Sequence, residues 1–541
     1  AFADLDKDGD LDYVVNNIND EAFIFENTLT SNSENSNYLN INLKGTPQNL
    51  MGLGAKLVIR HQGDKFQYYE HQLTRGYMSS MDQVIHFGLG TNKKVESVEI
   101  LWPDGKYEKI NEVKTNQTIS LANDNALLVE SHNLSFPLAQ KKIKPIFSEV
   151  SEELGIDFIH KEKEIVDYNF QRTIPHKLTQ NGPCIAQGDI NGDSYEDFIV
   201  GSSATYSPTI FLQRQDGTFT SKDLLSKKED LQYEEESMVL FDLDNDGDLD
   251  LYMVSGSNEF PNDSGLYRDR LLINDGNGGF NQSIAKMPNI STSGSVVRAE
   301  DFDKDGFVDL FIGGRTPVGQ YPLPDKSYLL KNNNGILEDI TDQIAPELRN
   351  IGMITDAIWK DVDNDQLIDL VLVGEYMPIT IFLNKEKNFS KLNSSGLEDF
   401  YGWWESIASA DFDLDGDFDF VVGNMGSNNS YQPSVNKPVT ILAKDFDNNG
   451  SIDPIMFAHL DNDQNTNNAF PVHFWGDLSK QSAIFRSKFD SYSAYANATK
   501  NTLFTKEELK DVIEVIGNYD QSVYVENKGN GKFIVHPLPI E

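Results

Sequence analysis

At 541 residues the chain is too long for one core, so two or more domains are expected. Its 39% hydrophobic and 11% aromatic residues can pack those cores, which excludes an acidic disordered chain despite a net charge of −40. The absence of a basic stripe excludes nucleic acid as a partner; no apolar run is long enough for a transmembrane segment; and a single cysteine excludes an internal disulfide framework.

The chain opens on Ala1-Phe2-Ala3, mid-element and without a leader, directly before an acidic loop. We therefore expect a fragment of a longer exported precursor, with residues 1–30 the end of a preceding blade. That loop, Asp4, Asp6, Asp8, Asp10 and Asp12 around Gly9, follows the pattern D-x-D-x-[DN]-x-x-x-D. The pattern returns six times: Asp189, Asn191, Asp193, Tyr195, Asp197; Asp242, Asp244, Asp246, Asp248, Asp250; and Asp301, Asp303, Asp305, Phe307, Asp309. Then come Asp361, Asp363, Asp365, Leu367, Asp369; Asp411, Asp413, Asp415, Asp417, Asp419; and Asp445, Asp447, Asn449, Ser451, Asp453.

In each copy, side chains at positions 1, 3, 5 and 9 and the carbonyl at position 7 can surround one hard cation, the shell Ca²⁺ requires. So many carboxylates in one loop repel without a counter-ion, and Mg²⁺ demands stricter octahedral geometry. The cofactor expected is Ca²⁺, about seven ions. Glycine at position 6 permits the bend; Ser194 and Gln366 replace it in the second and fifth copies, so those loops are expected to be looser. The second, fifth and seventh sites are expected to be the weakest. An EF-hand is excluded because position 12 is apolar in all seven copies (Val15, Val200, Met253, Ile312, Leu372, Val422, Met456) and a strand pattern follows each loop.

Residues 36–124 hold no such loop. Short strands at Tyr38–Leu43, Ala55–Arg60, Phe66–Gln72, Gln83–Phe87, Val95–Leu101 and Gln117–Leu121 predict a small β-sandwich. Residues 134–145 read as a linker. In 146–541 the loop starts are 53, 59, 60, 50 and 34 residues apart, a period that suits four-stranded β-propeller blades. Each unit ends in an apolar strand and an Asn/Gly turn, as at Leu271–Gly276. The short last step marks an elaborated blade, with an insertion at Asp490–Thr505 and a helix over Lys506–Glu514. Cys184, flanked by Pro183 and Ile185, reads as a buried packing thiol.

The acidic loops resemble the FG-GAP/VCBS repeats, which build calcium-binding β-propellers that are seven-bladed when complete. Gly52-Leu53-Gly54-Ala55, Arg75-Gly76-Tyr77 with Ser79-Ser80, His86-Phe87-Gly88-Leu89-Gly90 and Trp102-Pro103-Asp104-Gly105 resemble an ASPIC/UnbV domain, as in the cartilage acidic protein family. The combination is similar to Bacteroidota-type surface proteins, often lipoproteins. The resemblance implies an all-β fold: a propeller over 146–541, incomplete at the C-terminus, plus an ASPIC/UnbV sandwich. It also implies an extracellular or outer-membrane surface location.

The expected function is a calcium-binding surface binding or scaffold protein, whose propeller face takes a glycan or protein partner. The partner could belong to an outer-membrane nutrient-uptake (SusC/SusD-type) or secretion complex. The alternative is a polysaccharide lyase or hydrolase on the same scaffold. No nucleophile elbow, H-E-x-x-H or phosphate loop occurs, so an enzyme is not expected and no catalytic residue is assigned. His86, His160, His176 and His473 read as structural or surface residues, and Arg75 with Tyr77 as a turn. One of Trp403-Trp404 is expected in the core, the other being a candidate sugar-stacking platform. Clustered His, Arg, Tyr and free carboxylates on the propeller face would favour the enzyme.

Overall fold

The structure is a computed structural model and describes residues 2–17, 21–32, 36–63, 65–76, 79–128, 146–262, 264–459 and 468–539. The expected linker at 134–145 lies outside them, as does Tyr77. The fold is all-β, in two compact units, Ala1–Ser148 and Glu149–Glu541.

In the first unit, Phe2–Ala3, Asp12–Val15 and Phe23–Phe25 form an antiparallel sheet, with the Asp4 loop joining its first two strands. The rest is a sandwich. One sheet comprises Gln117–Ala122, Asn37–Lys44 and Ile85–Gly90; the other comprises Leu127–Leu128, Lys106–Lys114, Lys94–Leu101, Lys56–His61 and Lys65–Glu70. Alternate apolar residues of both sheets, such as Leu39, Ile41 and Phe87 against Leu57, Ile59 and Ile100, meet in one core with Trp102. Lys106–Lys114 was not expected as a strand. Its apolar residues Tyr107, Ile110 and Val113 fall three apart among Lys, Glu and Asn, so the alternating signal of a strand is missing.

The second unit contains five four-stranded antiparallel blades of propeller type, the fourth and fifth joined into one eight-stranded sheet by pairing of Glu375 with Trp403 and Met377 with Gly402. The first runs through Ile185–Gly188, Asp197–Val200, Thr209–Gln213 and Phe219–Asp223, and the second through Glu235–Phe241, Asp250–Ser255, Arg270–Asn274 and Phe280–Gln282. The third has Gly294–Glu300, Asp309–Gly314, Tyr328–Asn332 and Leu337–Asp339; the fourth has Met353–Lys360, Asp369–Met377, Thr380–Asn384 and Phe389–Lys391. The fifth is Gly402–Ala410, Asp419–Asn424, Val523–Asn527 and Phe533–Pro537.

Each blade is apolar on both faces, so its second strand alternates between two cores. Leu251 and Met253 pack toward the first blade, Tyr252 and Val254 toward the third. This explains why the second strands of the second, third and fourth blades are buried along their whole length.

The elaboration of the last blade is larger than the sequence suggested. Between its second and third strands lies another four-stranded sheet, in the order Phe470–Pro471, Asp453–Ala458, Val439–Lys444, Ile513–Gly517. It carries the Asp445 loop and the helices Trp475–Gln481, Tyr492–Tyr495 and Lys500–Leu503. The helix expected over Lys506–Glu514 is absent: turns there lead into Ile513–Gly517, which pairs with Val439–Ala443. Sheet pairing of Ile513, Val515 and Ile516 overrides the helix propensity of the Lys/Glu run before them.

Candidate functional site

All seven acidic loops join two antiparallel strands and share one backbone frame. Position 4 has a left-handed conformation in each (Lys7, Gly192, Asn245, Lys304, Asn364, Leu414, Asn448), and so does position 6. Ser194 and Gln366 adopt it too, at φ 71° and 72°, so the expected loosening is not seen in the backbone. From the second copy onward, the first aspartate accepts the N–H groups of positions 5 and 6, as in Asp246 N and Gly247 N to Asp242 at 3.2 and 3.1 Å. Position 5 accepts the N–H of position 7 in every copy: Asp10, Tyr195, Asp248, Phe307, Leu367, Asp417 and Ser451 donate. These bonds curl the loop and turn the remaining oxygens of positions 1, 3 and 5 inward.

Position 9 has a second task that the spacing did not reveal. Asp12, Asp197, Asp250, Asp309, Asp369, Asp419 and Asp453 are all buried. In all but Asp309, one oxygen accepts the N–H of position 2, while the other takes a donor from farther along the chain. In blades two to five that donor is the N–H of Asn274, Asn332, Asn384 or Asn527. Each of these buried Asn side chains donates to a carbonyl of its own loop and to one in the loop of the preceding blade: Ile190, Leu243, Phe302 and Val362. The Asn turn that ends each repeat is therefore an inter-blade latch.

Several carboxylate oxygens in the loops are buried without any hydrogen-bond donor: Asp4 Oδ1, Asp10 Oδ1, Asp244 Oδ1, Asp248 Oδ1, Asp309 Oδ2, Asp417 Oδ1 and Asp447 Oδ1. In the Asp4, Asp242 and Asp361 loops, the carboxylates of positions 1, 3 and 5 lie within 4.8 Å of one another; in the Asp301 loop, Asp301, Asp303 and Asp309 do. Burial first, and neighbouring aspartates after it, push Asp309 and Asp369 up to about 7 and Asp417 to about 6. This oxygen-only, orphan-bearing set fits a hard divalent ion.

Two loops contribute no orphan oxygen among the described residues. In the Asp189 loop, Asn191 donates to Asp193 at 3.0 Å; in the Asp361 loop, Lys385 reaches Asp363 and Asp365 at 3.2 and 3.3 Å. Lysines also enter the Asp242 and Asp301 loops. Lys286 meets Asp244 at 2.6 Å, and Lys331 bridges Asp303 and Asp305. Burial raises Asp305, but the Lys331 contact outweighs it and leaves its pKa lowered.

At the opposite end of the blades, the structure collects groups that the sequence left scattered. Glu375, fully buried, accepts His176 Nε2 at 3.0 Å, Arg315 at 2.5 Å and the Tyr321 hydroxyl at 3.0 Å. Burial opposes its charge, but His176 and Arg315 hold it well below the usual carboxylate range. His176 is desolvated, yet Glu375 raises it to about 9. Glu236, pushed up to about 7 by burial, and Glu405, raised by burial, lie within the field of Arg315. Glu162, Glu234 and Glu259 gather nearby, with His160 Nε2 on Glu162 at 2.5 Å.

The other singled-out residues are structural. Trp403 and Trp404 are both buried, at 3% and 0% exposure, so neither is a sugar platform; Trp403 packs on Tyr376 and over Gly517. His473 accepts Met456 N–H at 3.1 Å, and burial lowers it to about 4. His86 meets Asn40 at 2.9 Å and stacks on Tyr38, while Arg75 lies over Tyr69. Cys184 Sγ approaches Glu235 O at 3.3 Å, and burial raises the thiol well above its ordinary value.

The ASPIC and UnbV family model matches residues 45–128, within the sandwich unit. The FG-GAP-like repeat model matches residues 189–253, 242–312 and 361–422, covering five of the seven acidic loops or their flanking strands. FG-GAP-like repeats are typical of extracellular or surface proteins, and among the described residues no helix is long and apolar enough to cross a membrane. No curated protein matches the chain. The chain thus carries an ASPIC/UnbV domain together with FG-GAP-like repeats.

Proposed function

We propose that this chain is a calcium-braced, non-catalytic binding module of an extracellular or cell-surface protein, presenting a glycan- or protein-binding face. The observation that carries this reading is the convergence of buried, donorless aspartate oxygens in repeated loops of one frame. Asp242, Asp244 and Asp246 would hold an ion in the best-formed loop, with Asp248 beside them; the bound ion would supply the missing positive charge and fix the loop. After dialysis against low micromolar calcium, elemental analysis should find several ions per chain, with the Asp189 and Asp361 loops the first to empty. One ion or none would sink the reading.

The enzyme reading has one observation in its favour: His176, Arg315, Tyr321, Glu236 and Glu405 lie around Glu375 at one end of the blades. Glu375 is locked by three donors, which suits a brace better than a proton shuttle, whereas Glu236 is poised to exchange a proton near neutral pH. New reducing or unsaturated ends released from a panel of acidic and neutral polysaccharides, and lost in Glu236→Gln, would establish the enzyme. No release from any of them would leave the binding module.

A further inference from the structure

We propose that Glu162, Glu234 and Glu259 form a divalent-cation site separate from the aspartate loops, suited to a hard, oxygen-liganded ion such as Ca²⁺. The three residues share no sequence spacing. Glu162 comes from the irregular segment before the first blade, Glu234 directly precedes the first strand of the second blade, and Glu259 follows its second strand. One carboxylate oxygen from each lies within 4.8 Å of the others, the separation that ligands around a single ion adopt.

The hydrogen bonding around these carboxylates points to a missing partner. Both oxygens of Glu259 are shut off from solvent and have no donor. Glu234 is 2% exposed, and Ala204 N–H, at 2.8 Å from Oε2, is the donor its side chain has. Glu162 Oε2 is also buried and donorless, while Oε1 meets His160. Among the described residues no Lys or Arg forms an ion pair with any of the three; Lys163 acts on Glu259 only through its field. A buried carboxylate without a counter-charge is costly, and three together compound the cost.

A divalent ion satisfies all three at neutral pH. His160 then orients Glu162, as an outer-shell imidazole does for a ligating carboxylate. Gly182 leaves the room: a Cβ there would stand 3.2 Å from the His160 ring and 3.7 Å from Glu162 Oε1. The Asp242 loop lies at the far end of the strand that Glu234 precedes, about 20–25 Å away along an extended chain, so the two sites can be observed independently.

The test uses the full chain, crystallised and soaked in millimolar Mn²⁺, an anomalous scatterer that accepts oxygen ligands. We expect an anomalous peak bounded by Glu162, Glu234 and Glu259. It should vanish in Glu259→Gln, and in the milder Glu162→Gln, while the aspartate-loop peaks remain. Elemental analysis of either variant should show about one ion fewer per chain. Filled loops with no peak at the glutamates would overturn the proposal and spare the loop reading; a peak at the glutamates with bare loops would do the reverse. If both are bare, both fall.

Discussion

Asn332 shows how much one buried amide carries. Its Nδ2 donates to Leu243 O at 2.8 Å and Val308 O at 3.1 Å, and its N–H donates to Asp309. Asn332→Ala leaves two carbonyls unsatisfied in the interior, a loss of about 2–4 kcal/mol. Urea unfolding should show it, and Asn332→Asp should be at least as damaging, because a carboxylate cannot donate to a carbonyl. A loss below about 1 kcal/mol would mean that water replaces the amide. Lys331 offers the converse case. Its ammonium neutralises Asp303 and Asp305 on the oxygens an ion would use, so Lys331→Met should tighten calcium binding at the Asp301 loop several-fold by calorimetric titration. Unchanged affinity would show that the lysine swings away without cost.

Elements bring together what local spacing cannot. The aspartate loops were legible in the sequence because the acidic residues of each fall within nine positions, the sandwich because turns set off its short strands, and the blades because an apolar strand follows each loop at a regular period. The glutamate triad was not, since three distant segments supply it, nor was the Lys106–Lys114 strand, whose outward residues hide its period. One of Trp403 and Trp404 looked available, but both are buried, and the inserted sheet brings Gly517 against the Trp403 ring. The pairing of His176 with Glu375 joins the segment before the first blade to the fourth, and its pH dependence has a definite sign. His176, raised to about 9, adds stability that is complete below its ordinary 6.5 and lost as pH rises through about 9. Glu375, held low, adds stability that is present above its ordinary 4.5 and lost at lower pH. The melting-temperature gap between wild type and His176→Gln should therefore be widest near pH 5–6.5 and close by about pH 10. A gap independent of pH would reduce His176 to a packing residue.

For the whole molecule, a net charge of −40 concentrated in loops makes counter-ions part of stability. Excess chelator should lower the melting temperature, and raising NaCl to about 1 M should recover part of that loss by screening the carboxylates. In millimolar calcium the same salt should change little. A melting curve indifferent to chelator would leave the loops as ordinary turns. The latches also impose a direction on assembly. Each Asn reaches back to the loop of the blade made before it, so during synthesis every new blade fastens its predecessor and leaves its own loop waiting. The fifth blade breaks this rhythm, because its third strand emerges roughly a hundred residues after its second. A ribosome paused within the insertion would hold four blades with the Val362 carbonyl still facing water, and Asn527 would close that last joint only once the detour is complete.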